Sequence, residues 1–138
     1  DNLQAAFLNY FLKNYASVIH RRREVADLYH RELNNIEELK LPPPPATSDD
    51  HFDIFQNYEI QAERRDELRT YLREHGIGTI IQWNGKPVHQ FKDLNLRGQL
   101  PVTDDLFTRI LLLPMNVFIS DEDVRHVADR IRTFYCNQ

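Results

Sequence analysis

Apolar residues in the first third of the chain recur at helical spacing. Leu3, Phe7, Tyr10 and Phe11 form one stripe, and Leu8, Leu12, Tyr15 and Ile19 an adjoining one, behind an Asp1 placed to cap the first turn. The pattern resumes at Val25, Leu28, Tyr29, Leu33 and Ile36, with no interior Pro or Gly. This predicts a long helical region over 1–38 with a break or bend near Asn14. Two apolar stripes on one helix require two partners, one of them in the chain's own sheet.

From residue 39 the pattern changes. Leu39-Lys40-Leu41 reads as a short strand, and Pro42 to Pro45 as a stiff extended connector without backbone donors. The connector runs on through Ala46-Thr47-Ser48-Asp49-Asp50 to a strand over 53–62. There Ile54, Tyr58, Ile60 and Ala62 share one face with Gln56, while Phe55, Asn57, Glu59 and Gln61 take the other. Gln56 and Asn57 in mid-strand are costly unless hydrogen-bonded, so they are expected at a site or a polar interface.

Arg64 to His75 predicts a helix with Leu68, Tyr71 and Leu72 inward and Gly76 as its left-handed stop. Alternation over 77–83 predicts a buried strand ended by Asn84-Gly85, so that strand, helix and strand form a crossover or split α+β unit. An irregular stretch over 90–99 is anchored by Phe91, Leu94 and Leu96. Another helix begins at Pro101 with Thr103 as its cap, and Leu111-Leu112-Leu113 is a short buried run. Ser120 and Asp123 open a capped last helix carrying the stripe Val124, Val127, Ala128, Ile131, Phe134 and Tyr135. The fold class is α+β: a long N-terminal helix region, 1–38, packed on a small, mainly antiparallel sheet with further helices, 39–138.

Composition narrows the function classes. The 138 residues suffice for one domain, and a net charge of −4 calls for neither nucleic acid nor an anionic membrane. No apolar run approaches the ~20 residues of a membrane span. The lone Cys136 has no internal disulfide partner, which fits a reducing compartment or indifference to redox, and the cytoplasm is the expected location. The chain opens on Asp1 directly into a helix pattern and reads as cut from something longer.

Candidate chemistry is concentrated in one loop. The only Trp, Trp83, is followed by Lys86, Pro87 and His89 within six residues. Either this is a surface turn with Trp83 covering the core, or Trp83 stacks on a ring while Gln82 and His89 hydrogen-bond to hydroxyls or phosphate. His20-Arg21-Arg22-Arg23 is either a phosphate site or a solvated face with pairs such as Arg23 with Asp27, and the acidic neighbours favour the face. No histidine pair has metal-ligand helical spacing, no glycine-rich phosphate loop occurs, and Cys136 lacks a base. No complete active site is readable from the residues.

The run Asp1-Asn2-Leu3-Gln4-Ala5-Ala6 resembles a helix start of the DegT/DnrJ-type sugar aminotransferases. So, in order, do Arg64-Arg65-Asp66-Glu67-Leu68 with Leu72, Glu74-His75-Gly76-Ile77-Gly78-Thr79, Leu100-Pro101-Val102-Thr103, Leu113-Pro114-Met115 and Ser120-Asp121-Glu122-Asp123-Val124. The resemblance implies the C-terminal small domain of a fold-type I enzyme dependent on pyridoxal phosphate, which moves an amino group from glutamate onto a nucleotide-linked keto-sugar and acts as a dimer. It also implies that the catalytic large domain, with its Schiff-base lysine, lies upstream of Asp1. Lys13, Lys40, Lys86 and Lys92 match none of that domain's residues, so no cofactor is expected on this chain. The family's usual His-Tyr, proline loop and His fall here on Gln82, Trp83 and His89, and these become the expected nucleotide-sugar contacts. With Phe55-Gln56-Asn57-Tyr58, the variant resembles members that act on 3-keto-6-deoxyhexoses of deoxythymidine diphosphate. Two non-enzymatic readings remain beside it, a noncatalytic remnant and a dimerisation or interaction module using the first helix.

Overall fold

The computed structural model describes residues 1–46, 51–96 and 98–136. Thr47 to Asp50, the end of the expected connector, lie outside the described residues. The long helical region is two helices, α1 (Asn2–Leu12) and α2 (Tyr15–Leu33), parted at Lys13 and Asn14 as the pattern predicts. Asp1 caps α1 by accepting from the backbone N–H groups of Leu3 and Gln4. A three-stranded antiparallel sheet follows in the order β1 (Leu39–Lys40), β2 (Tyr58–Ala62), β3 (Ile110–Leu113). Three further helices complete the fold: α3 (Arg65–Glu74), α4 (Pro101–Arg109) and α5 (Asp121–Cys136).

One face of the sheet carries the core. In β2, Tyr58, Ile60 and Ala62 point inward and Glu59 and Gln61 away, which is the expected alternation. Leu111 and Leu113 of β3 join them, and this face packs on Val25, Tyr29 and Leu33 of α2, Leu68 and Leu72 of α3, and Val124, Val127 and Ile131 of α5. Tyr29 stacks on Tyr58 with ring centroids 5.0 Å apart and donates its hydroxyl to the Pro114 carbonyl at 2.9 Å. Burial lifts both phenols well above the usual tyrosine range, so they stay neutral. Gly76 ends α3 at φ +77°, with Ile77 N–H reaching the Leu72 carbonyl at 2.9 Å. Ser120 and Asp123 form the expected reciprocal cap on α5.

Four expectations are corrected. The 77–83 strand shrinks to one bridge, Ile80 with Leu112, and from Gln82 to Gly85 the chain coils into a 3-10 turn. Ile80 still lies across β3 from β2, so the β2–α3 unit is split by β3. The 53–62 strand starts only at Tyr58, because Phe55 adopts φ +50° and turns inward, leaving Gln56 and Asn57 exposed in a bend. Thr103 is not a cap: Pro101 occupies the first turn of α4 and Leu100 precedes it without a side-chain bond. Phe91, Leu94 and Leu96 are exposed rather than anchoring.

The arginine run has a third role. Arg23 does not pair with Asp27, which binds Arg31 instead. Arg22 donates to the carbonyls of Phe55 and Gln56, and Arg23 to those of Asp53 and Ala46 while its guanidinium covers Phe52 at 4.3 Å. The cations thus bind α2 to the segment before β2, where carbonyls outside the sheet need donors.

α1 buries none of its residues, and Leu3, Phe7, Leu8, Tyr10, Phe11 and Leu12 are all exposed. None of the described helices is long and apolar enough to cross a membrane.

Truncating Leu72, fully buried between α3 and the sheet, is expected to cost about 2–5 kcal/mol. Urea denaturation of Leu72→Ala against the parent sequence measures it; a loss below about 1 kcal/mol contradicts the packing described.

Candidate functional site

The candidate site is built on the side of the sheet away from the main core, where three short 3-10 turns (Gln82–Gly85, Val88–Gln90 and Lys92–Leu94) run against α4. Three successive residues have positive φ: Trp83 at 53°, Asn84 at 54° and Gly85 at 71°. Such conformations cost free energy for a non-glycine residue and persist only where the surroundings enforce them. At Gly85 an added Cβ would make only ordinary contact with Ile81 Cγ2, at 3.5 Å, so what calls for glycine there is the backbone angle. Trp83 is 70% exposed, which rules out its reading as a cover for the core.

Arg65 holds the ground beneath this turn. It is 9% exposed, and its Nη1 donates to the Phe107 carbonyl at 3.3 Å and the Ile110 carbonyl at 3.1 Å. These are carbonyls at the α4–β3 junction that the helix leaves without intrahelical partners. Asp66 Oδ1 lies 2.7 Å from Nε but off the N–H direction, a charge contact rather than a directed hydrogen bond.

The loop is tied to the first turn of α4 by a small polar cluster. His89 Nε2 lies 2.8 Å from Asp104 Oδ1, and Gln90 Nε2 donates to the same oxygen at 2.7 Å. A carboxylate only accepts, so Nε2 carries the proton. The His89 side chain is 10% exposed and its Nδ1 is buried without a partner. Gln82 is half-buried at the opposite end of the turn and, among the described residues, its amide has no hydrogen-bond partner.

Between the turns and α4 lies a cavity of about 540 Å³ lined by Trp83, Pro87, Val88, Phe91, Leu94 and Phe107, with Thr103 and Lys86 as its polar members. Thr103 and Phe107 share one face of α4 at i, i+4 spacing. A larger hollow of about 910 Å³ borders Pro43, Pro44 and Phe52, away from these groups. Among the described residues no cluster of His, Cys, Asp or Glu could hold a metal ion.

The structure therefore brings Trp83 to the cavity, engages His89 with Asp104, and does not bring Gln82 into the cavity lining. Sequence reading missed the roles of Arg65, which entered only as a residue of the predicted helix and of a family motif, and of Asp104. The spacing of Asp104 from His89 gives no local signal. Arg65 could have been suspected as a cation just before the apolar positions of an amphipathic helix.

The DegT/DnrJ/EryC1/StrS aminotransferase family pattern matches residues 1–132, and the chain belongs to that family. It is 31% identical over 134 residues to a dTDP-4-dehydro-2,3,6-trideoxy-D-glucose 4-aminotransferase of Saccharopolyspora spinosa, covering 96% of this chain and 34% of that protein. It is 31% identical over 140 residues to a pleiotropic regulatory protein of Geobacillus stearothermophilus, covering 98% and 37%. A DegT DnrJ EryC1 StrS aminotransferase from Brucella abortus superposes with a TM-score of 0.84 at 29% identity, covering 98% of this chain and 36% of that one. The chain spans about a third of the length of these relatives.

Replacing Asp104 by Ala should free His89 and Gln90 together. Amide exchange over 86–95 is expected to rise about tenfold, the scale of one partly exposed charge-assisted contact, with α2 and α5 unchanged. Unaltered exchange in the loop would show that Asp104 does not hold it.

Proposed function

We propose that this chain is the C-terminal small domain, 1–138, of a pyridoxal-phosphate-dependent aminotransferase that moves an amino group from glutamate to a nucleotide-linked keto-sugar. On this reading it works in the cytoplasm as part of a homodimer. The observation that carries the reading is a family match running almost the full length of the chain but only about a third of its relatives. The name of the Saccharopolyspora spinosa relative favours a deoxythymidine diphosphate sugar.

The residues present do not fit the cofactor. Schiff-base chemistry requires a lysine set in a desolvated site, whereas Lys13, Lys40, Lys86 and Lys92 are all exposed. On this reading bond-making belongs to a lysine-bearing domain outside this chain, and the chain contributes binding and orientation. Trp83 packs on the ligand and Gln82 offers its amide. His89, whose Nε2 Asp104 holds, becomes a polar contact when a ligand oxygen takes the place of that carboxylate.

A second reading, an interaction module without catalysis, is favoured by α1, whose large apolar residues are exposed throughout.

Two measurements test the proposal. Pyridoxal phosphate added to this chain and reduced with borohydride is expected to leave no stoichiometric adduct; such an adduct, or turnover of a keto-sugar nucleotide with glutamate by the chain alone, contradicts it. In the lysine-bearing whole enzyme, Trp83→Ala is expected to weaken nucleotide-sugar binding by ~1–3 kcal/mol, the scale of a stacked ring. An unchanged dissociation constant there removes Trp83 from the site.

A further inference from the structure

Asn84-Gly85, in the middle of the turn at positive φ, plays no part in the proposed function. We propose that it is a self-modification site, at which the Gly85 backbone nitrogen displaces the Asn84 side-chain amide and converts residue 84 to an acid. This chemistry needs only the loop and is independent of the proposed function. Asn84 is the only asparagine of the chain that precedes a glycine, and a glycine nitrogen, with no Cβ beside it, is the least hindered of backbone nucleophiles. Asn84 is exposed, and among the described residues its side-chain amide has no hydrogen-bond partner. Asn116, by contrast, is held by the Phe118 N–H, which donates to its Oδ1 at 2.9 Å.

The reaction needs only solvent water besides these two residues. Gly85 N bonds to Asn84 Cγ, the Cγ–Nδ2 bond breaks, and the proton lost from the attacking nitrogen leaves with the amide as ammonia. The product is a succinimide ring. Water then opens one of its two carbonyls. Attack at Cγ gives aspartate, and attack at the backbone carbon gives isoaspartate, in which the main chain runs through the former side chain. One water is taken up and one ammonia released in sum, with no change of oxidation state.

Backbone geometry decides how the ring closes. Closure requires Gly85 N to eclipse Asn84 Cβ, which in an L-residue occurs at the ψ of the first central residue of a type II′ turn, about −120°. Asn84 has φ 54° and ψ 31°, which places that nitrogen on the far side from Cβ and protects the resting turn. Residues 83–86, however, turn in the type I′ manner, closed by the Lys86 N–H on the Trp83 carbonyl at 3.1 Å, with Gly85 at φ 71°. Rotating the Asn84–Gly85 peptide alone converts type I′ to type II′. Asn84 keeps its positive φ in both, and glycine accepts the swing at its own φ. The closing bond survives, because neither the Lys86 N–H nor the Trp83 carbonyl belongs to the rotating peptide. Only the place of the Gly85 N–H in the 3-10 turn is given up. The reactive conformer is thus one peptide flip from the resting one. Conversion sets a negative charge two residues before Lys86. The isoaspartyl form also adds a main-chain atom between Trp83 and Gly85, which the closed turn cannot hold in the same register.

The test incubates the 138-residue chain in warm neutral buffer and follows isoaspartate by enzymatic methylation and peptide mapping. Emission of Trp83, the only tryptophan, is recorded on the same samples. The expected result is isoaspartate at position 84 ahead of every other asparagine. It should form about fivefold more slowly than in the same chain unfolded in guanidinium, the effect of giving up one exposed turn hydrogen bond. Trp83 emission should change with the same time course. Asn84→Gln, for which closure needs a larger ring, should lose both the modification and the emission change while its far-ultraviolet dichroism stays that of the parent chain. A folded chain that reacts at residue 84 no faster than at its other asparagines, while the unfolded chain reacts there first, would show that the fold blocks the flip, and the inference fails. Isoaspartate at residue 84 without a change in Trp83 emission also overturns it, since conversion would then leave the turn as it was. An emission change that persists in Asn84→Gln has the same consequence.

Discussion

A buried guanidinium decides whether the outer side of this sheet can carry a site. Arg65 stands at the start of α3 and reaches under the sheet's edge to the carbonyls of Phe107 and Ile110. Those two oxygens mark the place where α4 ends and β3 begins, and no backbone donor of the helix can serve them. The same side chain lies beside Gly85, where a Cβ would come within 4.0 Å of its Nη2. One residue thus ties the start of α3 to the end of α4 and the start of β3, with the strained turn packed alongside it. Without it, two carbonyls would be left unsatisfied where little water reaches, a loss larger than one exposed hydrogen bond.

Around that fixed point the two sides of the sheet do different work. The inner side is an ordinary apolar core in which α2, α3 and α5 cover Tyr58, Ile60, Leu111 and Leu113. The outer side is short of regular structure, and hydrogen bonds from a few side chains replace backbone pairing. Asp104 gathers His89 and Gln90 there, just as Arg22 and Arg23 gather the carbonyls ahead of β2. Polar side chains hold non-repetitive backbone in place in both regions, which is how exposed loops can present ligand groups in a set geometry. α1 stands apart from both sides with its apolar residues uncovered.

The elements that sequence reading found are those whose signals are local. Helical periodicity with Asp1, Ser120 and Gly76 at the ends located α1, α5 and the close of α3, because caps and left-handed stops act within a few residues. The break near Asn14 and the alternation of Tyr58, Ile60 and Ala62 were legible for the same reason. The misreadings share a different cause. Alternation over 77–83 suggested a strand, but pairing depends on what lies opposite: β3 is four residues long, and only Ile80 finds a partner on it. Phe91, Leu94 and Leu96 have the composition of anchors, yet the 3-10 turns that carry them leave them at the surface. Of the site, Trp83 and His89 stood out as residue types; Arg65 and Asp104 matter through contacts 42 and 15 residues away along the chain, which no local pattern encodes.

The claim that one buried cation organises the outer side is tested most directly by residue-resolved hydrogen exchange on Arg65→Met, which keeps the apolar stem and removes the donors. The account predicts at least about tenfold faster exchange across α4 and residues 82–96, with protection in α2, α5 and β2 retained. Equal loss of protection throughout the chain, or none in α4, would contradict it.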